Sequence, residues 1–140
     1  MGARSSGREA ALQMLFALEA AGASVEAVIR DYWREFPSDA EGKPYSESLV
    51  RSVAEERGAL DERIGKASAN WRIERMTRVD RNVLRIAAWE LVHDVATPRA
   101  VILDEAVELA KKFGTEDSGG FVNGVLSKVA DEAGRPVEER

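Results

Sequence analysis

The sequence contains no cysteine. Disulfides, thiolate zinc sites and a cysteine nucleophile are thereby excluded. The absence fits a reducing cytoplasm. No apolar run approaches the roughly 20 residues of a membrane span. The N-terminus lacks the apolar core of a signal peptide, so a cytoplasmic protein with no membrane contact is expected. Proline is scarce, at positions 37, 44, 98 and 136 only, and each stands at a natural helix boundary. No segment alternates apolar and polar residues with period two over a useful length, so no sheet is expected. No glycine-rich loop follows a strand, so no nucleotide cradle is visible. The single histidine, His93, has only Asp94 as a polar neighbour in sequence. Neither metal nor cofactor is therefore expected, and the same scarcity leaves no catalytic constellation.

Excess positive charge is also missing. The net charge is −5, from 20 basic and 25 acidic side chains, which argues against nucleic-acid binding through a wholly basic surface. The charge is uneven, however. Residues 38–62 carry a balance of −4, whereas residues 70–85 carry Arg72, Arg75, Arg78, Arg81 and Arg85 and a balance of +3. Such a cluster is either a restricted anion contact or a solvated helix face with internal ion pairs, and charge alone favours the second.

What is present is helical periodicity. A helix opening at Ser6, with a Ser6–Glu9 capping box, carries Ala10, Ala11, Met14, Leu15 and Leu18 and ends near Gly22. A second, capped by Ser24, carries Val28, Ile29, Trp33 and Phe36, and residues 37–44 form a polar loop. A third starts near Tyr45, Gly58 breaks it from a fourth, and Asn70-Trp71 marks a turn. A fifth opens at Thr77 and carries Val83, Leu84, Ala87, Ala88 and Leu91. The sixth carries Ile102, Ala106, Leu109, Ala110 and Phe113, and stops at Gly114 where a left-handed residue is expected. The seventh is capped by Ser118. Its Asn123-Gly124 pair predicts a tight helix crossing tied by a buried amide, or alternatively a ligand contact. The fold class is thus all-α, about seven helices in two packed three-helix sub-bundles. Residues 1–134 form one domain, and a tail, 135–140, has nothing to bury and should fray.

Four blocks of wording go further. Arg8-Glu-Ala-Ala-Leu-Gln-Met-Leu-Phe16 is the first. Trp71 with Arg75 and then Val79-Asp-Arg-Asn-Val-Leu-Arg-Ile-Ala-Ala-Trp-Glu-Leu91 is the second. The lead from Pro98 to Ile102 is the third, and the run from Ile102 to Leu126 is the fourth. In this order they resemble the NusB family of bacterial transcription antitermination factors over about residues 8–129.

The resemblance implies a non-enzymatic RNA-binding protein. It would bind single-stranded boxA RNA with NusE, a small-subunit ribosomal protein, and join the complex on elongating RNA polymerase in support of rRNA transcription. It implies RNA contacts at Arg4, Arg8, Gln13, Phe16, Asp117, Ser118 and Phe121, and a partner seam at Asp80 and Arg81. Phe16 stands where the family often has Tyr, and a core position for it stays open. The family's dense N-terminal arginine run is thinned here to Arg4 and Arg8, which implies a shallow salt dependence and reliance on NusE. Two rival readings are an RNA-binding domain of an rRNA cytosine methyltransferase and a pure interaction module. The first needs a catalytic domain with a cysteine. The second could be a homodimer that covers its own RNA surface.

Overall fold

The computed structural model describes residues 2–37, 41–69 and 71–137. Residues 38–40 of the expected loop, Asn70 of the expected turn and residues 138–140 of the expected tail lie outside the described residues. Among the described residues there are seven α-helices, one 3-10 turn and no strand, as the all-α expectation requires. The chain divides into two compact units, Met1–Glu55 and Glu56–Arg140.

The first unit holds α1 (Ala3–Ala21), α2 (Val25–Glu35) and α3 (Lys43–Glu55). The start of α1 departs from the expected Ser6 cap. Gly2 takes the N-cap position without a side-chain cap, and the Ser6 amide already donates to the Gly2 carbonyl at 3.0 Å. Ser6 is therefore inside the helix. Its other end is as expected: Gly22 adopts φ +64°, and its amide returns to the Leu18 carbonyl. The Ser24 hydroxyl accepts from the Ala27 amide at 3.2 Å and caps α2. Ala11, Met14, Leu15, Val28, Ile29, Leu49, Val50 and Val53 supply this unit's core, whereas Phe36 stays exposed.

The second unit holds α4 (Arg57–Ala67), a 3-10 turn (Ile73–Arg75), α5 (Arg78–His93), α6 (Arg99–Phe113) and α7 (Ser118–Glu132). Gly58 is not the break between α3 and α4. It lies in the first turn of α4, and Glu56 takes the N-cap position. α5 packs against α4, α6 and α7 and is buried on every side. Leu84, Ile86, Ala88 and Leu91 are joined there by buried Asn82, Arg85 and Glu90. Thr77 caps it as expected, its hydroxyl accepting from the Asp80 amide at 3.1 Å.

Three details of this unit differ from expectation. The tail does not fray at its first residue. Arg135 is buried, and its guanidinium donates to the carbonyls of Leu91 at 2.9 Å and Thr97 at 2.6 Å. A cation seated on the last carbonyls of α5 suits both the unpaired groups and the helix dipole. Gly114 is extended (φ −100°) rather than left-handed. Its glycine is required by space instead: a Cβ would lie 2.7 Å from the Ala110 carbonyl and clash with the Ser118 hydroxyl. Finally, Asn123 and Gly124 are exposed, and no neighbour approaches the place of a Gly124 side chain. They form neither a tight crossing nor a buried amide.

His93 closes α5 with its Nε2 2.8 Å from Glu56 Oε1, while the Trp89 indole donates to Glu56 Oε2 at 3.0 Å. The His93 hydrogen bond holds the Glu56 carboxyl below its usual range against the opposing effect of burial, with a further contribution from the Trp89 hydrogen bond.

Two expected outcomes follow from this packing. Gly114→Ala should destabilise by about 1–3 kcal/mol, because the obstructing atom at Ala110 is backbone and cannot swing away. Gly124→Ala should be neutral or slightly stabilising, and thermal unfolding of the two variants checks both. A carboxyl whose pKa is lowered by folding adds stability above its ordinary value, near 4.5, and loses it as the pH falls through the folded value. Glu56→Gln should therefore be less stable than the native chain at neutral pH, and the difference should shrink below about pH 4 in unfolding titrations.

Candidate functional site

The second unit carries a cleft of about 220 Å³, lined by Trp71, Arg75, Met76, Thr77, Asp80, Asp117 and Phe121. Its walls come from two local devices. On one side the chain leaves α4 at Ser68 and turns back, the Trp71 amide donating to the Ser68 carbonyl at 2.7 Å. The Ser68 hydroxyl lies within hydrogen-bond distance of the carbonyls of both Ile64 and Trp71. Trp71 is thus fixed by its backbone while its side chain is left 51% exposed, which makes it available for stacking. The 3-10 turn then delivers buried Met76, whose carbonyl accepts from the Arg81 guanidinium at 2.8 Å.

On the other side stands the corner between α6 and α7. The Ser118 hydroxyl accepts from the Thr115 amide at 2.9 Å and lies 3.3 Å from the Thr115 hydroxyl. That closes the turn below Gly114 and sets Asp117 at the start of α7, with Phe121 one turn further. Asp117 is exposed and caps nothing with its side chain.

Asp80 is the unusual wall residue. It is 8% exposed, yet its Oδ1 accepts no hydrogen bond among the described residues. A buried carboxylate oxygen without a donor is costly to leave so.

The structure thus brings Asp80, Asp117 and Phe121 together out of the residues expected from the sequence. Ser118 is 1% exposed and spent on Thr115. It holds the corner, and its expected direct contact gives way to that role. Arg81 is half-buried, with one nitrogen on the Met76 carbonyl. The structure adds Trp71, Arg75, Met76 and Thr77. The sequence signals for them were Trp71 with Arg75 in the second block of wording and Thr77 at the start of the fifth helix; Met76 had none.

The first unit holds the remaining expected residues, all on α1. Arg4 is exposed and Arg8 only 3% exposed. Both guanidiniums lie against the Tyr45 ring of α3, at 4.7 Å and 5.7 Å from its centroid. Gln13 is half-buried. Phe16 is 41% exposed, which answers the open question about it: it is not a core residue. Two turns back on the same helix, Glu9 adds to the effect of burial in pushing the Tyr32 phenol up.

A family model described as the NusB family matches residues 5–131. The chain belongs to the NusB family. A protein of Sorangium cellulosum named "Transcription antitermination protein NusB" is 61% identical over 140 residues, the whole of both chains. One of the same name from Anaeromyxobacter dehalogenans is 46% identical over 98% of this chain and 95% of its own. Among solved structures, NusB of T. maritima superposes with a TM-score of 0.85 at 35% identity, covering 97% of this chain and 95% of that one. A structure described as antitermination factors NusB and NusE in complex with dsRNA superposes with a TM-score of 0.85 at 26% identity, covering 94% and 98%.

In this NusB-family chain the arginine cluster of residues 72–85 divides by role. Arg85 is structural. Its guanidinium, 4% exposed, grips Asp61 with two bonds of 2.7 and 3.0 Å and donates a third to Asn82. Asn82 in turn donates to the Arg78 carbonyl at 2.9 Å. Arg72, by contrast, is 77% exposed and meets Glu74 at 3.6 Å, a pair of negligible worth in water. Asp61→Ala should take a two-bond carboxylate from the buried Arg85 guanidinium and destabilise by about 1–3 kcal/mol. Arg72→Ala should cost less than about 0.5 kcal/mol. Chemical denaturation of the two variants at one pH checks the division.

Proposed function

We propose that this protein is a cytoplasmic antitermination factor that binds boxA-type single-stranded RNA jointly with NusE and joins the elongating RNA polymerase complex, supporting rRNA transcription. The observation that carries this reading is the cleft of the second unit: an exposed tryptophan, a half-buried phenylalanine and an unsatisfied buried carboxylate around one opening.

A nucleobase suits each of these groups. Its π-face stacks on Trp71 or Phe121, a contact worth about 1–3 kcal/mol per base. Its amino or imino hydrogens can donate to the exposed Asp117 carboxylate and to the accessible edge of Asp80. The cleft's two carboxylates, with one arginine, Arg75, beside them, suit base edges better than a run of phosphates. Only an unstacked base can enter it, which favours single-stranded RNA over a duplex. Its volume, about 220 Å³, admits one base and little more.

Phosphate neutralisation is assigned to the α1 arm and to a partner. Arg4, Gln13 and Phe16 offer exposed or half-exposed groups on α1, and Arg81 remains accessible at the start of α5 for the NusE side. With a net charge of −5, the chain gains little RNA affinity from its overall field, and a basic ribosomal protein would supply it. The NusB–NusE–dsRNA relative supports joint binding of RNA and NusE. No step of this function requires catalysis.

Fluorescence anisotropy of a labelled boxA RNA, titrated with the protein alone and with equimolar NusE at two salt concentrations, tests the reading. A boxA-specific rise that tightens with NusE is expected. Trp71→Ala and Phe121→Ala should each weaken it about tenfold, and Asp80→Leu should relax discrimination between bases. Equal binding to boxA and to a scrambled RNA, with and without NusE, would overturn it.

A further inference from the structure

We infer that Tyr45 is a positioning residue for RNA binding: its ring, on α3, holds the Arg4 guanidinium outward as the phosphate-facing cation of the α1 arm. The inference rests on the RNA-binding reading and adds to it a residue outside the RNA-contact set.

The geometry begins with two glycines. A Cβ on Gly7 would stand 3.0 Å from the Gly42 carbonyl and 3.2 Å from the Tyr45 ring, and one on Gly42 would stand 3.0 Å from the Gly7 amide and 3.1 Å from the Ala3 carbonyl. The start of α1 and the start of α3 therefore touch backbone to backbone. That contact slides the Tyr45 ring beneath positions 4 and 8, which lie one helical turn apart on the same face. Arg4 sits 4.7 Å and Arg8 5.7 Å from the ring centroid. Arg8 is the inner of the two, 3% exposed, and Arg4 the outer, exposed one.

Electrostatics works against part of this arrangement. Two cations occupy the first two turns of α1, with no acidic residue in the first turn. The helix dipole disfavours cations there, and two like charges four residues apart disfavour each other. The negative face of an aromatic ring offsets both effects. It also restricts a side chain that would otherwise lose much rotamer freedom on meeting a phosphate. With only two cations left in the arm, the orientation of the exposed one matters more than it would in a dense arginine run. Both guanidiniums are placed against the ring face, so the ring is the group to which the inference assigns this role.

The test compares native protein, Tyr45→Phe, Tyr45→Leu and Arg4→Ala, each with NusE, on boxA RNA across a salt series. Tyr45→Phe should bind as the native chain does. Tyr45→Leu, which keeps apolar bulk but not the ring face, should bind about threefold to tenfold more weakly. Its salt slope should fall by about 0.7, the loss of one phosphate contact on a single strand, and Arg4→Ala should add nothing further in that background. A merely structural role for Tyr45 would lower the unfolding temperature without changing the salt slope. Should Tyr45→Leu fail to fold, replacing Tyr45 by a fluorinated phenylalanine keeps the ring shape and removes its negative face, and the same slope change is expected. Native affinity and slope in that variant or in Tyr45→Leu would overturn the inference while leaving the RNA reading intact. Failure of the native protein to bind boxA would overturn both.

Discussion

Helix α5 has no free face, and the second unit is arranged around that constraint. From Asn82 to Ala88 every residue of α5 is buried, and the helix carries Asp80, Asn82, Arg85 and Glu90 among its buried residues. Polar groups in that position need partners of fixed geometry. Asp61 of α4 is placed for Arg85, the Arg78 carbonyl for Asn82, and the Arg135 guanidinium for the last carbonyls. Each of these partners comes from a different segment, so the demands of one helix fix the places of α4 and of the chain beyond α7. Asp80 is the exception. Its Oδ1 is left without a donor at the end of α5 where the cleft opens. Departure from local satisfaction at a single point, in a helix otherwise fully satisfied around it, is the expected mark of a site and not of poor packing.

Most of the helices were legible because their signals are local. Ser24 and Thr77 cap as their chemistry dictates, and Gly22 takes the left-handed conformation that ends α1. The start of α1 was misplaced because a capping-box pattern competes with simple continuation. With no proline before Ser6, the i to i+4 ladder extends back to Gly2. Gly114 was recognised as necessary for the wrong reason. A glycine after a helix signals either a left-handed residue or a close approach, and only the position of Ser118 and the Ala110 carbonyl distinguishes them. Asn123 and Gly124 were misread although the information was present. Val122, Val125, Leu126 and Val129 define the buried face of α7, and positions 123 and 124 fall away from it at 100° per residue.

The site was legible in part for a different reason. Asp117 and Phe121 came from the wording of the sequence, not from periodicity. Asp80 came from the same wording as a partner residue, and tertiary packing sets it, with Trp71 and Met76, in one cleft with them. Arg135 belongs with these: an isolated arginine after Gly134 looks like tail until the end of α5 is placed beside it. The arginine cluster shows the opposite lesson. In sequence its five members are equivalent, but burial makes Arg85 an ion-pair anchor and leaves Arg72 in water.

Charge separates two tasks on this chain. The cleft of the second unit joins aromatic rings to two carboxylates and a single arginine, a combination suited to base edges. The α1 arm of the first unit joins cations to an aromatic ring, a combination that attracts phosphate and is indifferent to base identity. On the proposed reading, sequence preference therefore resides in the second unit and non-specific affinity in the first. A chain with a net charge of −5 and one outward cation on the arm then binds RNA selectively only when affinity is lent by a partner. That dependence has a functional sense. A factor that cannot hold RNA alone engages only where the partner is also present, and weak non-specific affinity keeps it off the bulk of cellular RNA.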